Sequence, residues 1–210
     1  MTPSPSELED VVVHVVDDDD DLRESLVWLL GSVGIQVKDH PDADSFFAAY
    51  DESRPACVVV DVRMPVVSGF QVQERLNALE SPAPVIFCSA HGDIQMSVRA
   101  LQRGAVTFLE KPYEPQQMID VVQEGLSTAV ARFRQQVERR DVVRRLSTLT
   151  QREREVLRLV VTGLPSQNIA RRLGTSVKTI DVHRARIRVK TDAESIATLV
   201  RDVLSNGIDV

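Results

Sequence analysis

No apolar run in the 210 residues approaches the roughly 20 that a membrane span needs, so a transmembrane role is not expected. The opening MTPSPSELED is polar and acidic, unlike a signal or transit peptide, and a cytoplasmic protein is expected. Cysteine is scarce: Cys57 and Cys88 are the only two, each inside an apolar run and with no CxxC pair. That excludes a disulfide scaffold and predicts two buried free thiols in a reducing compartment. The histidines lack any HxH or HExxH spacing, which argues against zinc; His14 falls on an apolar run, His40 in an expected loop and His183 on the inner face of an expected helix. No internal repeat is present, and the Asp run at 17–21 is the one low-complexity tract.

What is present is charge of two kinds, kept apart. The net charge of -6 divides into -14 over Met1–Gly125, +4 over Leu126–Arg145 and +4 over Leu146–Val210. An acidic front suits a part that handles cations, and a basic back one that meets polyanions. Hydrophobic residues at 43% are enough for packed cores.

Four short apolar runs rich in β-branched residues end in polar ones: Val11–Val16, Cys57–Val60, Val85–Cys88 and Ala105–Leu109. Each is too short for a helix and reads as a buried strand, with a weaker fifth at Ile35–Val37. Amphipathic helical patterns lie between them near Leu22–Ser32, Asp44–Tyr50, Gly69–Leu79 and Ile94–Arg103. The alternation predicts an α/β fold: a doubly wound, five-stranded parallel sheet whose site gathers at the carboxyl ends of the strands. Asp17, Asp18, Asp61, Ser89 and Lys111 all fall there. Past Pro115, Ile119, Val122, Leu126, Ala129, Phe133 and Val137 step by three or four along one long helix running toward Arg145. Its first half is expected to cover the sheet, its second half to be a stiff linker or dimer seam. From Leu149 the pattern is wholly helical, broken by turns at Gly163–Pro165 and Gly174–Ser176. The expected organisation is a domain at 11–125, a helical linker at 126–145 and a small all-α domain at 146–210.

Three carboxylates at one sheet edge repel unless a cation sits among them. Oxygen-only ligands with an open mouth suit Mg²⁺ and a phosphate partner. Lys111 adds a point charge and Ser89 a hydroxyl donor. Such a set can carry phosphoryl transfer to a carboxylate, with charge stabilisation as the main catalytic effect. Asp19, Asp20 and Asp21 are not needed for metal and are expected to cap the helix before Leu22.

The motifs Val15-Val16-Asp17-Asp18-Asp19, Val60-Asp61-Val62-Arg63-Met64-Pro65, Ser89-Ala90 and Phe108-Leu109-Glu110-Lys111-Pro112 together resemble response-regulator receiver domains, which have a flavodoxin-like fold. The resemblance implies Asp61 as phosphoacceptor. It implies Asp17, Asp18, Asp61 and the Arg63 carbonyl as Mg²⁺ ligands, and Ser89 and Lys111 as phosphoryl contacts. Ser89 with Phe108 would be the conformational switch, and Lys111-Pro112 a cis peptide. Two positions depart from the pattern. Val66 stands where Gly is frequent, which predicts a stiffer loop, and Ser89 stands for the commoner Thr.

Gly163 to Arg188 reads as helix, turn, helix. Ile169, Ala170 and Leu173 face inward on the first helix; Ser176 caps the second, and Ile180, His183 and Ile187 form its inner stripe. Small or apolar residues among bases let a helix seat in a major groove. Leu149–Leu157 with Ile169-Ala170, Ser176, Thr179-Ile180 and His183 is similar to the LuxR-type helix-turn-helix, with Ser166–Ala185 as the motif and Ser176–Lys190 as recognition helix. The whole chain then resembles the FixJ and NarL class, and His91-Gly92-Asp93 leans toward FixJ. The residues expected at DNA are Lys178, Thr179, Asp181, Val182, Arg184, Ala185, Arg186 and Arg188. Ser166-Gln167 replaces a frequent Asn-Lys, removing one phosphate contact, and Thr191 replaces a large apolar residue, which predicts a less stable domain.

The resemblance implies a phosphorylation-activated transcriptional regulator, not an enzyme, with a sensor histidine kinase, promoter DNA and RNA polymerase as partners, a homodimer on phosphorylation and no membrane association. A haloacid dehalogenase-type phosphatase would need a second acid two residues after the nucleophile, where Arg63 stands. A ligand-gated LuxR-type factor would not need carboxylates at three strand ends, and a phosphorylation-independent DNA binder would not need a complete site.

Overall fold

The computed structural model describes residues 8, 10–90 and 94–210. The motif His91-Gly92-Asp93 lies outside the described residues. Two compact units divide the chain, Met1–Arg134 and Gln135–Val210.

The first unit is a parallel five-stranded sheet in the order β2-β1-β3-β4-β5. Its strands are β1 (Val12–Val16), β2 (Gln36–His40), β3 (Ala56–Asp61), β4 (Val85–Ser89) and β5 (Thr107–Glu110). Every residue of β1, β3 and β4 is buried, which explains why these read as unbroken apolar runs rather than alternating ones. Alternate residues serve opposite faces. Val58, Val60 and Phe87 pack with Phe46, Val72, Leu76 and Ala100, while Cys57, Val59, Ile86 and Cys88 pack with Leu26, Leu30, Met118, Val122 and Leu126. The helices that supply these side chains are α1 (Asp20–Ser32), α2 (Ala43–Ala49), α3 (Gly69–Ala78), α4 (Ile94–Gln102) and the long α5 (Pro115–Ser147). Both cysteines are free and buried, and burial pushes each thiol up to about 12.

Two sequence expectations about this unit need correction. β2 is not confined to Ile35–Val37; it runs to His40, pairing along all of β1. His40 is therefore no loop residue. It is buried at a strand end with Nε2 2.9 Å from Nδ1 of His14, the rings stacked and Phe46 and Tyr50 at their edges. The weak sequence signal has a physical cause: β2 lies at the edge of the sheet and is largely exposed, so it needs few apolar residues.

The second unit is built on α6 (Gln151–Val161), α7 (Ser166–Arg172), α8 (Val177–Lys190) and α9 (Ile196–Ser205). Val142 and Leu146 of α5 are buried with Leu149, Val156, Leu157, Ile169, Ile180, Ile187 and Leu199. The second half of α5 thus covers a core, contrary to the expectation of a bare linker or seam; Val137 remains half exposed. Thr150 and Glu153 form a capping box at the start of α6, and buried Glu153 also takes a 2.7 Å bond from Lys190. Burial alone would raise the Glu153 carboxyl, but the bonds from Lys190 and Thr150 outweigh it and hold it near 2. Thr191 is fully buried, yet its hydroxyl donates to the Ile187 carbonyl at 2.8 Å. The polar group is satisfied, so its burial leaves no unpaired hydroxyl.

Candidate functional site

The carboxyl ends of β1, β3, β4 and β5 deliver Asp17, Asp61, Ser89 and Lys111 to one edge of the sheet. Asp17 and Asp61 are buried, and the Lys111 ammonium donates to both, to Asp17 Oδ2 at 2.7 Å and Asp61 Oδ1 at 2.8 Å. Burial alone would lower the Lys111 pKa; the two carboxylates outweigh that and raise it. Asp17 is raised, because burial outweighs the opposing bond from Lys111. Ser89 is fully buried at its strand end, and its carbonyl accepts from the Lys111 N–H at 2.8 Å. Phe108 is half buried against the core, 6.4 Å from the Phe87 ring. The Lys111-Pro112 peptide is cis.

Asp18 is exposed, and among the described residues no group of three or more His, Cys, Asp or Glu is placed to hold a metal ion. Lys111, expected as a point charge at this edge, pairs with two of the carboxylates. The donor set nonetheless fits a hard cation. Two buried carboxylates already share one cationic group, every donor is oxygen, and Asp18 is adjacent in the chain. The Arg63 side chain is exposed, and the Arg63 backbone N–H donates to Asp61 Oδ2.

Asp19 caps α1, accepting from the Leu22 N–H, with Asp20 and Asp21 in the first turn as expected. Sequence reasoning missed Arg23. This buried guanidinium donates to the Asp17 carbonyl at 2.7 Å, pairs with Asp20 and lies 3.5 Å from Asp39, tying β1, α1 and β2 behind the acidic edge. Its signal was available, a lone base after a run of five acids. Gly69 was also missed. A Cβ there would stand 2.3 Å from the Asp61 carbonyl oxygen, so glycine lets α3 start against the end of β3. Val66 is nearly fully exposed at φ 66°, and the Val67 N–H donates to the Pro65 carbonyl at 2.7 Å. That is a γ-turn in the strained left-handed region, so the loop carries backbone strain.

In the second unit Ser176 caps α8, accepting from the Thr179 N–H, and Ile180 and Ile187 are buried beneath it while His183 is half buried. Lys178, Thr179, Asp181, Val182, Ala185, Arg186 and Arg188 are exposed and Arg184 half exposed, so all eight expected DNA residues are on the accessible side of α8. Two are already bonded. The Thr179 hydroxyl meets that of Ser176 at 2.8 Å, and the Ser166 hydroxyl donates to Asp181 Oδ1 at 3.0 Å.

The chain matches the response regulator receiver domain over residues 13–123 and the luxR family of bacterial regulatory proteins over 147–203. It is 41% identical over 200 residues to the transcriptional regulatory protein FixJ of Azorhizobium caulinodans, covering 95% of each chain. It is 41% identical over 192 residues to the transcriptional regulatory protein TdiR of Thauera aromatica, covering 91% of this chain and 85% of that one. Among solved structures, the response regulator StyR is similar at a TM-score of 0.73 and 39% identity, over 93% of this chain and 99% of that one. Full-length FixJ from B. japonicum is similar at a TM-score of 0.54 and 35% identity, over 93% and 97%. With a parallel-sheet unit whose strand ends converge on Asp61 and a helical unit presenting a basic helix, the chain belongs to the response regulators that join a receiver domain to a LuxR-type helix-turn-helix, the DNA-binding transcriptional regulators of two-component systems.

Proposed function

We propose that Asp61 is the phosphoacceptor and that its phosphorylation by a sensor histidine kinase switches DNA binding on. The observation that carries this is the shared engagement of Asp17 and Asp61 by Lys111 at the strand ends. A carboxylate oxygen of Asp61 attacks the phosphorus of a phosphohistidine, a P–O bond forms as the P–N bond breaks, and the leaving imidazole takes a proton. Lys111 then pairs with the phosphoryl oxygens, and the Ser89 hydroxyl donates to one of them. Asp17, Asp18, Asp61 and the Arg63 carbonyl would hold Mg²⁺, which when bound neutralises charge developing on the transferred group. Ser89 moving toward the phosphoryl group vacates room that Phe108 fills, reshaping the neighbouring surface into a homodimer face.

In this reading residues 11–125 are the receiver, 146–210 the DNA-binding domain, and 126–145 a helical linker whose two ends are each anchored in a core, Leu126, Ala129 and Val130 in that of the first unit and Val142 in that of the second. The paired heads meet two half-sites in promoter DNA, where Lys178, Thr179, Asp181, Val182, Arg184, Ala185, Arg186 and Arg188 face the groove and its phosphates. The chain works in the cytoplasm with RNA polymerase as its downstream partner, is not an enzyme and uses no membrane; no described helix is long and apolar enough to cross one. Incubation with acetyl phosphate and Mg²⁺ should add one phosphoryl group by mass, lost in Asp61→Asn and reduced in Asp18→Asn. Normal labelling of Asp61→Ala would overturn the assignment, and no labelling of the wild type would favour a phosphorylation-independent DNA binder.

A further inference from the structure

Asp181 is an acid on a helix whose other charged side chains are Lys178, Arg184, Arg186, Arg188 and Lys190. Helical spacing puts Lys178 and Arg184 three residues to either side, within reach of an ion pair. Among the described residues Asp181 pairs with neither. Its bond is instead to the Ser166 hydroxyl at 3.0 Å, across the turn from the first residue of α7. That choice of partner has two consequences. Lys178 and Arg184 stay available to phosphates, and the carboxylate keeps its full charge, because a hydroxyl orients an anion without neutralising it.

An unrestrained carboxylate on a DNA-facing helix weakens binding to every sequence by repelling phosphates. One held by a neighbouring hydroxyl is different. Oδ1 is fixed, the rotation of the group is restricted, and Oδ2 remains to accept a hydrogen bond from a base edge. In the major groove the matching donor is an exocyclic amine, and a carboxylate pairs best with that of cytosine. Asp181 lies in the N-terminal half of α8, the part of a recognition helix that reaches bases.

We propose that Ser166 is a positioning residue for sequence recognition, its hydroxyl holding the Asp181 carboxylate so that it reads a cytosine amine at one position of each half-site. The inference rests on the DNA-facing role proposed for α8. The test is selection from a randomised duplex library by the phosphorylated full-length chain, followed by affinity measurements on the selected site and on its single-base variants. Asp181→Ala should flatten the preference at one position and leave the others intact. Ser166→Ala should reduce discrimination at that same position about three- to tenfold, the range for one lost hydrogen bond. Ser166→Thr, which keeps the hydroxyl, should restore it, and adding Ser166→Ala to Asp181→Ala should change nothing further. Three results would overturn the proposal: unchanged discrimination in Ser166→Ala, an equal change on all sequences, or an Asp181→Ala protein with wild-type preferences at every position. A wild-type chain that enriches no sequence would overturn the DNA-facing role of α8 itself, and is distinguishable from these because it needs no variant.

Discussion

The stacked pair His14 and His40 should make the receiver unit lose stability in mild acid. Both rings are buried, their nitrogens 2.9 Å apart, with Phe46 and Tyr50 against them. Burial, then the neighbouring His40 and Lys38, pulls His14 down to about 4. His40 is lowered too, by burial and Lys38, against the opposing pull of Asp39 and Asp42. In the unfolded chain both imidazoles titrate near about 6.5. Between that pH and 4 the unfolded state therefore binds protons that the native state refuses, so stability falls as pH falls. From pH 7.5 to 5, His14 alone should remove about 2 kcal/mol. Asp17, whose native carboxyl is raised, works in the opposite direction, so the decisive quantity is a difference between proteins. Hydrogen exchange of the β1 amides, corrected for intrinsic rates, reports the unfolding free energy of this unit. Wild type should lose about 2 kcal/mol more than His14→Gln over that pH interval, since Gln keeps a polar group but no proton linkage. Parallel curves, or a His14 imidazole titrating near its ordinary value by NMR, would refute the reasoning.

Four further outcomes follow from individual residues. Val66→Gly removes the left-handed strain without losing contacts and should stabilise the receiver by about 1 kcal/mol in urea unfolding; no gain would mean the γ-turn is relaxed. Gly69→Ala forces a Cβ onto the Asp61 carbonyl and should cost about 1–3 kcal/mol while slowing phosphoryl uptake, and unaltered stability and uptake would contradict the close approach. Arg184→Ala and Arg188→Ala should weaken binding to all DNA alike and each flatten the salt slope by about one unit. Lys190→Met should leave that slope unchanged and lift the Glu153 carboxyl from near 2, because Lys190 is committed to Glu153; a flattened slope would place Lys190 on DNA instead.

Most of the receiver could be read from the chain because its central strands are buried on both faces and so are written as unbroken β-branched runs ending in functional residues. β2 was clipped and His40 misplaced because an exposed edge strand needs no apolar signature. The acidic edge and Lys111 as its point charge were legible from the strand ends, but not that one ammonium bonds Asp17 and Asp61 together, which depends on how closely the ends of β1, β3 and β5 meet. Val142 stands five residues past Val137, out of step with the stripe that ends there, and periodicity alone does not say whether the last turns of α5 meet a partner helix or a core of their own chain. The pair of Ser166 with Asp181 was invisible for the same reason, since a side-chain bond across a turn leaves no period in the sequence.

If phosphorylation of Asp61 controls DNA binding by α8, affinity for a selected operator depends on acetyl phosphate and Mg²⁺ in wild type and not in Asp61→Asn. Measured in all four cases, binding should be tighter and dimeric for the phosphorylated wild type and unresponsive in Asp61→Asn. Equal affinity in all four cases, or a phosphorylated wild type that stays monomeric on DNA, would contradict that control.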